Sequence, residues 1–478
     1  MTLSHSRSWL SLARSGLQPK ATAPKRVIVV GAGVAGLVAA YELLNAGHDP
    51  LLLEAQQRPG GRICTLREPF SDGLYAEVGA MRIPRAHDLT MAYVERFGLR
   101  LVPFTVDNPN AYYFVCGRRW RISEANANVD ALGFETAPNE RGRTAGQLWD
   151  AALKPIRDQL RTMGEAAWSE ILATYGRLST REFLERCGWS EGAIEMFGLL
   201  ANQEALMNSS FLELLREEVG NYYADMVEID GGMDSLPRAF MPALGNRIRF
   251  GAKMVAVDQT PDRVTIHYRT AAGHASVTGD FAILTVPFPI LRHVEAVKPF
   301  SRGKQRAIRQ LHYDASAKIL VQCRRRFWEE DDIFGGRTMT DLPIRAVHYP
   351  DHGRESGRGV LLASYTWSED AQRWGSLLPS DRIAQALENL AQIHPQTITE
   401  FEVGTSKIWH HDEFAGGAFA LFDPGQQTLL YEHIVAPEGR IHFAGEHASS
   451  VHAWIQGAIE SGLRSADEVH RRSFQESP

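Results

Sequence analysis

Two short apolar runs, separated by an amphipathic stretch, lie in the first 53 residues of the chain. Val27–Val30 is apolar and ends at Gly31, which is typical of a buried parallel strand. Four apolar residues then recur at helical spacing, namely Leu37, Ala40, Tyr41 and Leu44. Gly47 is suited to end that helix, and Leu51–Leu53 gives a second buried strand. The pattern therefore predicts a βαβ unit.

A second strand–turn–helix pattern lies near the other end of the chain. Ile441–Phe443 is an apolar run, and Ala444–Glu446 forms a glycine-containing turn. One helical face follows, made of Ile455, Ala458, Ile459, Gly462, Leu463 and Ala466. Between the two units, residues 156–236 contain no proline and alternate polar and apolar positions at helical spacing, which predicts a mainly helical insert.

Further apolar or alternating runs predict strands at 249–250, 254–257, 264–268, 281–286, 315–323 and 359–366. The resulting fold class is mixed α/β, with a doubly wound βαβ domain. We predict that this domain is discontinuous and built from residues 26–64, 229–310 and 437–475. A mixed-sheet domain would take 65–122 and 311–436, a helical domain 123–228, and an N-terminal arm 1–25, which should pack on the body.

Composition and charge narrow the class of partner. The 478 residues are 44% hydrophobic and 23% charged, enough for two or three domains. A net charge of −6 provides no basic field for nucleic acid or an anionic membrane. No apolar run reaches the roughly 20 residues that span a bilayer, and the N-terminal segment lacks the apolar block of a secretion signal. Four scattered cysteines favour a reducing compartment, so we expect a cytoplasmic protein.

Three glycines at the junction of the first strand and helix predict a dinucleotide site. Gly31 allows the tight turn, Gly33 lets a pyrophosphate approach the backbone, and Gly36 permits close packing of helix and strand. The helix N-terminus, with Val34 and Ala35, offers backbone N–H groups and a partial positive charge to the phosphates. Glu54, followed by Ala55, ends the second strand where a carboxylate can accept from ribose hydroxyls.

The segment Arg58-Pro59-Gly60-Gly61-Arg62 favours FAD over NAD. A guanidinium beside Gly61, such as that of Arg62, can reach the pyrophosphate from the side opposite the helix, although a solvated basic turn is the alternative. At the C-terminal unit, the helix N-terminus near Trp454, Ile455, Gln456 and Ala458 could stabilise negative charge on a flavin ring. Glu446 could accept from the ribityl chain or from a water bound to phosphate.

These motifs resemble the flavin-containing amine oxidase superfamily, and more closely its L-amino-acid oxidases, over nearly the whole chain. The resemblance rests on segments in the right order, including 24–37, Glu54–Arg62, Gly79–Arg82, Ala111–Phe114, Gly231–Pro237 and Phe443–Ile455. It implies an FAD-binding domain of the flavin amine oxidase type with a mixed-sheet substrate domain and a helical insert. It also implies non-covalent FAD, a homodimer, and a small L-amino acid and O2 as partners.

The resemblance further implies roles for individual residues. Arg82 would hold the substrate carboxylate in the segment Gly79-Ala80-Met81-Arg82, which also meets the cofactor, and Tyr365 would be its aromatic partner. Ala453 and Trp454 would cover the substrate's amino side, although relatives often have glycine at the position of Ala453. Met254 would meet the adenine through its backbone, and Lys318 would hold a water near flavin N5.

The implied reaction is oxidative deamination. A neutral substrate amine loses its Cα–H as hydride to flavin N5, and the imino acid is hydrolysed to a 2-oxo acid and ammonia. Oxygen then reoxidises the flavin and gives hydrogen peroxide. A bidentate pair between arginine and carboxylate would supply the necessary orientation. The alternative for Arg82 is a salt bridge to Glu77 or Asp88, and the alternative for Lys318 is a surface lysine.

The side-chain preference is predicted from two acids. Strand alternation places Asp314, Ser316 and Lys318 on one face, so Asp314 should look into the substrate cavity. Together with Glu217 it would suit a cationic side chain, as in L-arginine or L-lysine. Alternatively, Asp314 pairs with Lys318 or with an arginine from 302–309, and Glu217 is exposed on its helix.

Several competing functions remain open at this point. A monoamine or polyamine oxidase has no carboxylate to bind, so Arg82 argues against it. An amino-acid 2-monooxygenase, an oxidase of aromatic or apolar amino acids, a dehydrogenase passing electrons to a carrier, and a catalytically silent flavoprotein that serves as a binding partner are the alternatives. No metal is expected, because the adjacent residues His410–Glu413 favour a solvated turn over a metal cluster. His447 and His452 are interpreted as hydrogen-bonded scaffold.

Overall fold

The structure, a computed structural model, describes residues 3–475, and its first sheet unites distant parts of the chain. Its five parallel strands lie in the order Ile248–Arg249, Asp49–Leu53, Arg26–Val30, Phe281–Leu284 and Ile441–Phe443. Apolar side chains are buried along the central strands, as expected for a sheet covered on both faces. The βαβ unit and the C-terminal strand predicted from the sequence therefore belong to one sheet.

Two long helices pack together beside this sheet. The first, Val34–Asn45, is called the nucleotide helix, and the second, Ile455–Gln475, the C-terminal helix. Gly462 makes their close approach possible, because a Cβ there would lie 2.5 Å from the carbonyl oxygen of Ala35. The N-terminal helix Leu3–Ser15 lies on the same core through the buried residues Trp9 and Ala13. The described part of the N-terminal segment therefore packs on the body, and its limits as a separate arm stay a prediction.

A four-stranded sheet continues this part of the molecule. Its strands are Gly273–Gly279, Val264–Thr270, Lys253–Gln259 and Glu295–Ala296, and the first three are antiparallel. Further helices accompany these two sheets, namely Asp88–Arg96, Ser235–Arg238, Met241–Leu244, Phe288–Leu291, Arg302–Gln310 and Gln426–Val435.

A seven-stranded sheet forms the other large layer. Its order is Phe401–Ile408, Ser316–Cys323, Gly359–Trp367, Ala346–His348, Arg337–Thr340, Tyr112–Val115 and Arg118–Arg121. Smaller sheets pair Thr65–Leu66 with Ala76–Glu77, Tyr313–Asp314 with Phe419–Ala420, and Met226–Ile229 with both Ile83–Pro84 and Leu101–Pro103. Helices Ser368–Gly375, Pro379–Ile393 and Thr397–Glu400 accompany this layer.

The predicted helical insert is largely correct but its limits differ. Its helices are Ile122–Ala127, Ala145–Met163, Ala167–Tyr175, Thr180–Arg186, Glu191–Leu200 and Phe211–Val219. The longest begins before the predicted start, because Thr144 and Gln147 form a capping box, and it continues through Pro155. Met226–Ile229 was expected to be helical and is a strand, because edge strands on both sides pair with it.

The mixed α/β class is confirmed by these layers, whereas the exact domain boundaries stay a prediction. Within residues 3–475, no helix is both long and apolar enough to cross a membrane.

Candidate active site

One elongated cavity of about 290 Å³ runs from the parallel sheet to the seven-stranded sheet. It is lined by most of the residues predicted from the motifs. They are Gly31, Gly33, Val34, Ala35, Glu54, Ala55, Gly61, Arg62, Gly79, Ala80, Met81, Arg82, Glu217, Met254, Lys318, Tyr365, Glu446, Ala453, Trp454, Ile455 and Ala458. Residues from both ends of the chain and from its middle therefore share one site.

At one end of the cavity, Glu54 presents a fixed carboxylate. Its two oxygens accept from the backbone N–H groups of Ala32 and Gln56, each at 2.7 Å. Burial raises the pKa of Glu54, and these N–H donors partly oppose that shift. Met254 lines the same end. A buried acceptor with remaining lone pairs suits the hydroxyls of a ribose.

Replacing Glu54 by glutamine should weaken FAD binding by about 10- to 100-fold, because it removes charge-assisted hydrogen bonds to the ribose. Fluorescence titration of the apoprotein with FAD measures this change. Exposed Glu432, remote from the cavity, offers the control Glu432→Gln. A Glu54→Gln affinity within twofold of the wild type would contradict the assigned role.

The middle of the cavity is the N-terminus of the nucleotide helix. Gly31 has φ +106°, a conformation that favours glycine, and a Cβ there would meet the hydroxyl of Thr285 at 2.4 Å. Gly33 has open space where a Cβ would be, and no side chain caps the first turn of the helix. The free N–H groups and the open space fit a pyrophosphate.

Arg62 and Glu446 join the first motif to the C-terminal one. Arg62 donates through Nη1 to Glu446 at 2.8 Å and to the carbonyl oxygen of Ala418 at 3.1 Å. Glu446 also accepts from the backbone N–H of Ala453 at 3.0 Å. Although burial opposes ionisation, the Arg62 guanidinium contributes to a lowered pKa of Glu446. Arg58 instead folds onto the carbonyl groups of its own turn and does not line the cavity.

At the opposite end, Arg82 is a half-buried cation with spare donors. Its Nη1 is buried and has no hydrogen-bond partner among the described residues. The guanidinium carbon lies 5.5 and 5.6 Å from the ring centres of Tyr223 and Phe104. Neither suggested partner takes it, because Glu77 binds Thr65 and the Met233 N–H, while Asp88 binds Gln456. Such a fork is suited to a carboxylate from outside the chain.

Lys318 lies on the inner wall beside Arg82. It is 1% exposed, and its Nζ donates to the carbonyl oxygens of Glu77 at 3.1 Å and Gly79 at 2.8 Å. The Met81 sulfur is a third acceptor at 3.3 Å, and the Tyr365 ring centre lies 4.5 Å away. Burial lowers the pKa of Lys318 to about 7. The alternative of a surface lysine is therefore excluded.

Glu217 also faces the cavity, so it is not the exposed helix residue of the alternative. Its oxygens accept from Trp454 Nε1 at 2.7 Å and from the Tyr223 hydroxyl at 2.8 Å. Burial raises its pKa to about 7, against the lowering effect of these two donors. The Glu217 carboxyl group and the Arg82 guanidinium thus lie at the same end of the cavity.

The family comparison decides the class. Residues 34–470 match the family of flavin containing amine oxidoreductases. The chain belongs to this family.

Known relatives are similar in sequence to this chain over almost its full length. The chain is 43% identical to "Putative L-amino-acid oxidase YobN" of Bacillus subtilis (strain 168), covering 97% of this chain and 98% of that protein. It is 38% identical to an L-amino-acid oxidase of Vipera ammodytes ammodytes, covering 98% and 97% respectively. These relatives confirm the family recognised from the motifs.

Solved structures support the same fold at lower identity. Cyclohexylamine oxidase from Brevibacterium oxydans IH-35A superposes with a TM-score of 0.76 at 18% identity, covering 94% of this chain and 99% of that one. Putrescine oxidase bound to putrescine gives 0.73 at 21% identity, with the same coverage. The protein is an FAD-dependent oxidase with the flavin amine oxidase fold, and FAD is the cofactor that its cavity fits.

Three aromatic residues that line this flavoenzyme's cavity were missed by sequence reasoning. Tyr223 binds Glu217, Trp409 donates through Nε1 to the Val78 carbonyl oxygen at 2.7 Å, and the Trp367 ring packs edge-on at 4.9 Å from that of Tyr365. All three line the cavity. The adjacent aromatic pair Tyr222-Tyr223 is the one local signal that could have indicated this wall.

Ala453 occupies a position that favours glycine. Its φ is +64°, in the left-handed region that alanine rarely adopts, and its N–H is fixed by Glu446. An alanine therefore forms this turn at a position whose backbone favours glycine.

The predicted position of Asp314 in the cavity is wrong. Ser316 and Lys318 line the cavity as alternation requires, but Asp314 does not. The strand is interrupted at Ala315, so Asp314 belongs to a separate pair with Phe419. Its Oδ1 accepts from the Ser368 hydroxyl at 2.7 Å, and its Oδ2 is buried without a partner among the described residues. None of the suggested partners, Lys318 or an arginine from 302–309, pairs with it.

Two predicted cofactor residues also lie outside the cavity lining. Gln456 points away on the C-terminal helix, where it accepts from the Thr90 N–H at 3.0 Å and donates to Asp88 at 2.6 Å. Gly36 acts through packing, as its motif predicts, because a Cβ there would lie 2.0 Å from the Gly31 carbonyl oxygen. A one-residue step rotates a helical side chain by about 100°, which separates Gln456 from Ile455.

The two acidic residues of the segment His410–Glu413 form ion pairs with lysines. Asp412 accepts from Lys407 at 2.5 Å and Glu413 from Lys253 at 2.6 Å. The described residues contain no group of three or more side chains suited to a metal ion. His447 is buried and packs on Phe288, but neither of its ring nitrogens has a hydrogen-bond partner among the described residues, so its interpretation as a hydrogen-bonded scaffold residue is wrong. His452 pairs with Glu213 at 3.1 Å.

Proposed function

We propose that this FAD-dependent enzyme oxidises an L-amino acid to its 2-oxo acid, with release of ammonia and hydrogen peroxide. The observation that carries the proposal is the unpartnered, buried Nη1 of Arg82 at the end of the cavity opposite the nucleotide. An amine substrate would leave the buried Nη1 of Arg82 without a hydrogen-bond acceptor. A substrate carboxylate would supply that acceptor.

The chain's own residues would orient the substrate. Arg82 would hold the carboxylate as a fork, with the Tyr365 ring packing beside it. Trp454, fixed by its bond to Glu217, would close the amino side. FAD, when bound, would supply the hydride acceptor. Lys318, whose three donors are held by the carbonyl oxygens of Glu77 and Gly79 and by the Met81 sulfur, would place a positive charge at the reacting edge.

Product analysis tests the reaction type. Oxidase chemistry predicts one 2-oxo acid, one ammonia and one hydrogen peroxide for each O2 consumed. An amino-acid 2-monooxygenase would instead give an amide and carbon dioxide, and an enzyme that passes electrons to a carrier would consume little O2. Either of these outcomes would overturn the oxidase proposal.

A preference for L-arginine or L-lysine is the finer part of the proposal. Glu217 supplies a buried carboxylate at the cavity wall, where a cationic side chain could take up the charge. An aromatic or apolar side chain could not take up the charge of the Glu217 carboxylate.

The charge of Glu217 should therefore set the substrate ratio. Glu217→Gln should lower kcat/KM for L-arginine relative to L-leucine by about 30-fold. Because the pKa of Glu217 is about 7, ionisation above that pH should raise the wild-type ratio, and the glutamine variant should lose this dependence. Steady-state kinetics across pH 6 to 8 measures both effects.

Buried Glu228 offers a matched control for this experiment. It lies outside the main cavity, so Glu228→Gln should leave the ratio unchanged. A ratio that stays constant in Glu217→Gln would exclude a preference set by this carboxylate.

We also propose a homodimer in the cytoplasm, from the family resemblance and the reduced cysteines. The four cysteines are unpaired in the structure. Light scattering coupled to size-exclusion chromatography tests the oligomeric state.

A further inference from the structure

A second, smaller cavity adjoins the substrate end of the main one. We call it the annex; its argued residues are Ser210, Glu213, Arg216 and His452, and it shares Glu217 and Trp454 with the main cavity. Its volume is about 40 Å³. A water needs roughly 10–15 Å³ on this scale, so the annex can hold a small ion with a water or two.

Three polar atoms of annex residues are buried without a hydrogen-bond partner among the described residues. They are His452 Nε2, Ser210 Oγ and Arg216 Nη1. His452 is 4% exposed and Ser210 1% exposed, so bulk water cannot satisfy them. Each can donate a hydrogen bond, and unmade bonds of buried polar groups are costly. The annex therefore lacks a hydrogen-bond acceptor for these three donors.

The charged groups of the annex indicate what kind of acceptor would bind there. His452 Nδ1 binds Glu213 Oε1 at 3.1 Å, and Arg216 Nη1 lies 3.8 Å from the same oxygen, beyond hydrogen-bond distance. Burial opposes the charge of His452, but Glu213 outweighs it and raises the pKa of His452. Two cations thus face one ionised carboxylate.

Three further carboxylates act near the annex, and none is a free negative charge at mildly acidic pH. Burial raises the pKa of Glu460, which interacts electrostatically with His452, to about 7. Glu217 has a pKa near 7, and both of its oxygens are already engaged by Trp454 and Tyr223. Glu446, which also acts on His452, forms an ion pair with Arg62. At mildly acidic pH the His452 imidazolium and the Arg216 guanidinium are therefore the charged donors of the annex.

We propose that the annex is a binding site for one small monovalent anion of the halide class, held by His452 Nε2, Arg216 Nη1 and Ser210 Oγ. The site lies beside the substrate's side-chain end and is separate from the Arg82 fork. It does not depend on the proposed substrate, because its occupancy can be measured without turnover.

Bromide is the probe, because it scatters X-rays anomalously. Crystals of the holoenzyme grown in potassium bromide should show an anomalous peak in the annex within hydrogen-bond distance of His452 and Arg216. Only a water in the annex at saturating bromide would overturn the proposal. A peak that persists unchanged in both His452→Gln and Ser210→Ala would do the same.

Thermal unfolding of the holoenzyme tests the site in solution. Bromide should raise the Tm relative to potassium gluconate at equal ionic strength, because gluconate is too large for the annex. His452→Gln should weaken the apparent bromide affinity by about tenfold or more, and Ser210→Ala should weaken it less. The affinity should also fall as His452 loses its proton at higher pH.

Arg181 provides the matched control. It forms exposed ion pairs with Glu185 and Glu191 elsewhere in the helical region, so Arg181→Gln should keep the full bromide effect. Equal stabilisation by bromide and gluconate in the wild type would contradict the site, as would an equal loss in Arg181→Gln and His452→Gln.

Discussion

Replacing Arg82 by methionine should lower kcat/KM for the preferred L-amino acid by about 30-fold to several thousand-fold. The change removes a guanidinium whose Nη1 is buried and free, and so leaves the substrate carboxylate buried without a partner. Arg82→Lys should recover part of the loss, because it restores charge without the planar fork. Stopped-flow reduction of each holoenzyme under anaerobic conditions measures the effect separately from oxygen.

The control for the Arg82 variants is a second substrate that lacks the carboxyl group. The amine formed by removing the carboxyl group from the same amino acid cannot use the fork, so its slow oxidation should change little between wild type and Arg82→Met. Flavin content must match as well, since Arg82 lines the shared cavity. If the amine and the amino acid lost activity by the same factor, Arg82 would be acting on the cofactor or the fold, and not on the carboxylate.

Replacing Lys318 by methionine should slow the reaction of the reduced enzyme with oxygen by about 100-fold. The variant removes a preorganised positive charge that three acceptors hold in a buried position. Since burial lowers the pKa of Lys318 to about 7, the wild-type rate with oxygen should fall as pH rises through that value and the charge is lost. The methionine variant should show no such fall.

Lys407 is the matched control for Lys318. It pairs with Lys318 across neighbouring strands, but it bonds Asp412 and does not line the cavity. Lys407→Met should keep the wild-type rate and pH dependence. A pH dependence that survives unchanged in Lys318→Met would show that another group carries the charge.

The cofactor half of the site could be predicted from sequence because its chemistry is local. Gly31, Gly33 and Gly36 act through backbone geometry at one strand–helix junction, and Glu54 follows at a fixed distance along the same unit. The C-terminal motif meets this unit because both supply strands to one parallel sheet. Short-range patterns were sufficient for each piece, and family resemblance joined them.

The substrate end was less predictable because distant segments build it. Asp314 was misplaced by a single interruption at Ala315, which alternation cannot reveal. Tyr223, Trp367 and Trp409 come from three separate segments, and only tertiary packing brings them to the cavity. Arg82 and Lys318 were identified through resemblance, and the structure adds the reason they matter, namely a free guanidinium fork and a buried ammonium.

The geometry of the site points to an L-amino acid that Arg82 would anchor by its carboxylate and that FAD, when bound, would oxidise. Anaerobic mixing of the wild-type holoenzyme with an L-amino acid, its D-enantiomer and the corresponding decarboxylated amine tests this directly. We expect the L-amino acid alone to bleach the flavin rapidly, with L-arginine or L-lysine fastest in a panel of side chains. Bleaching by the amine as fast as by the L-amino acid would contradict the account.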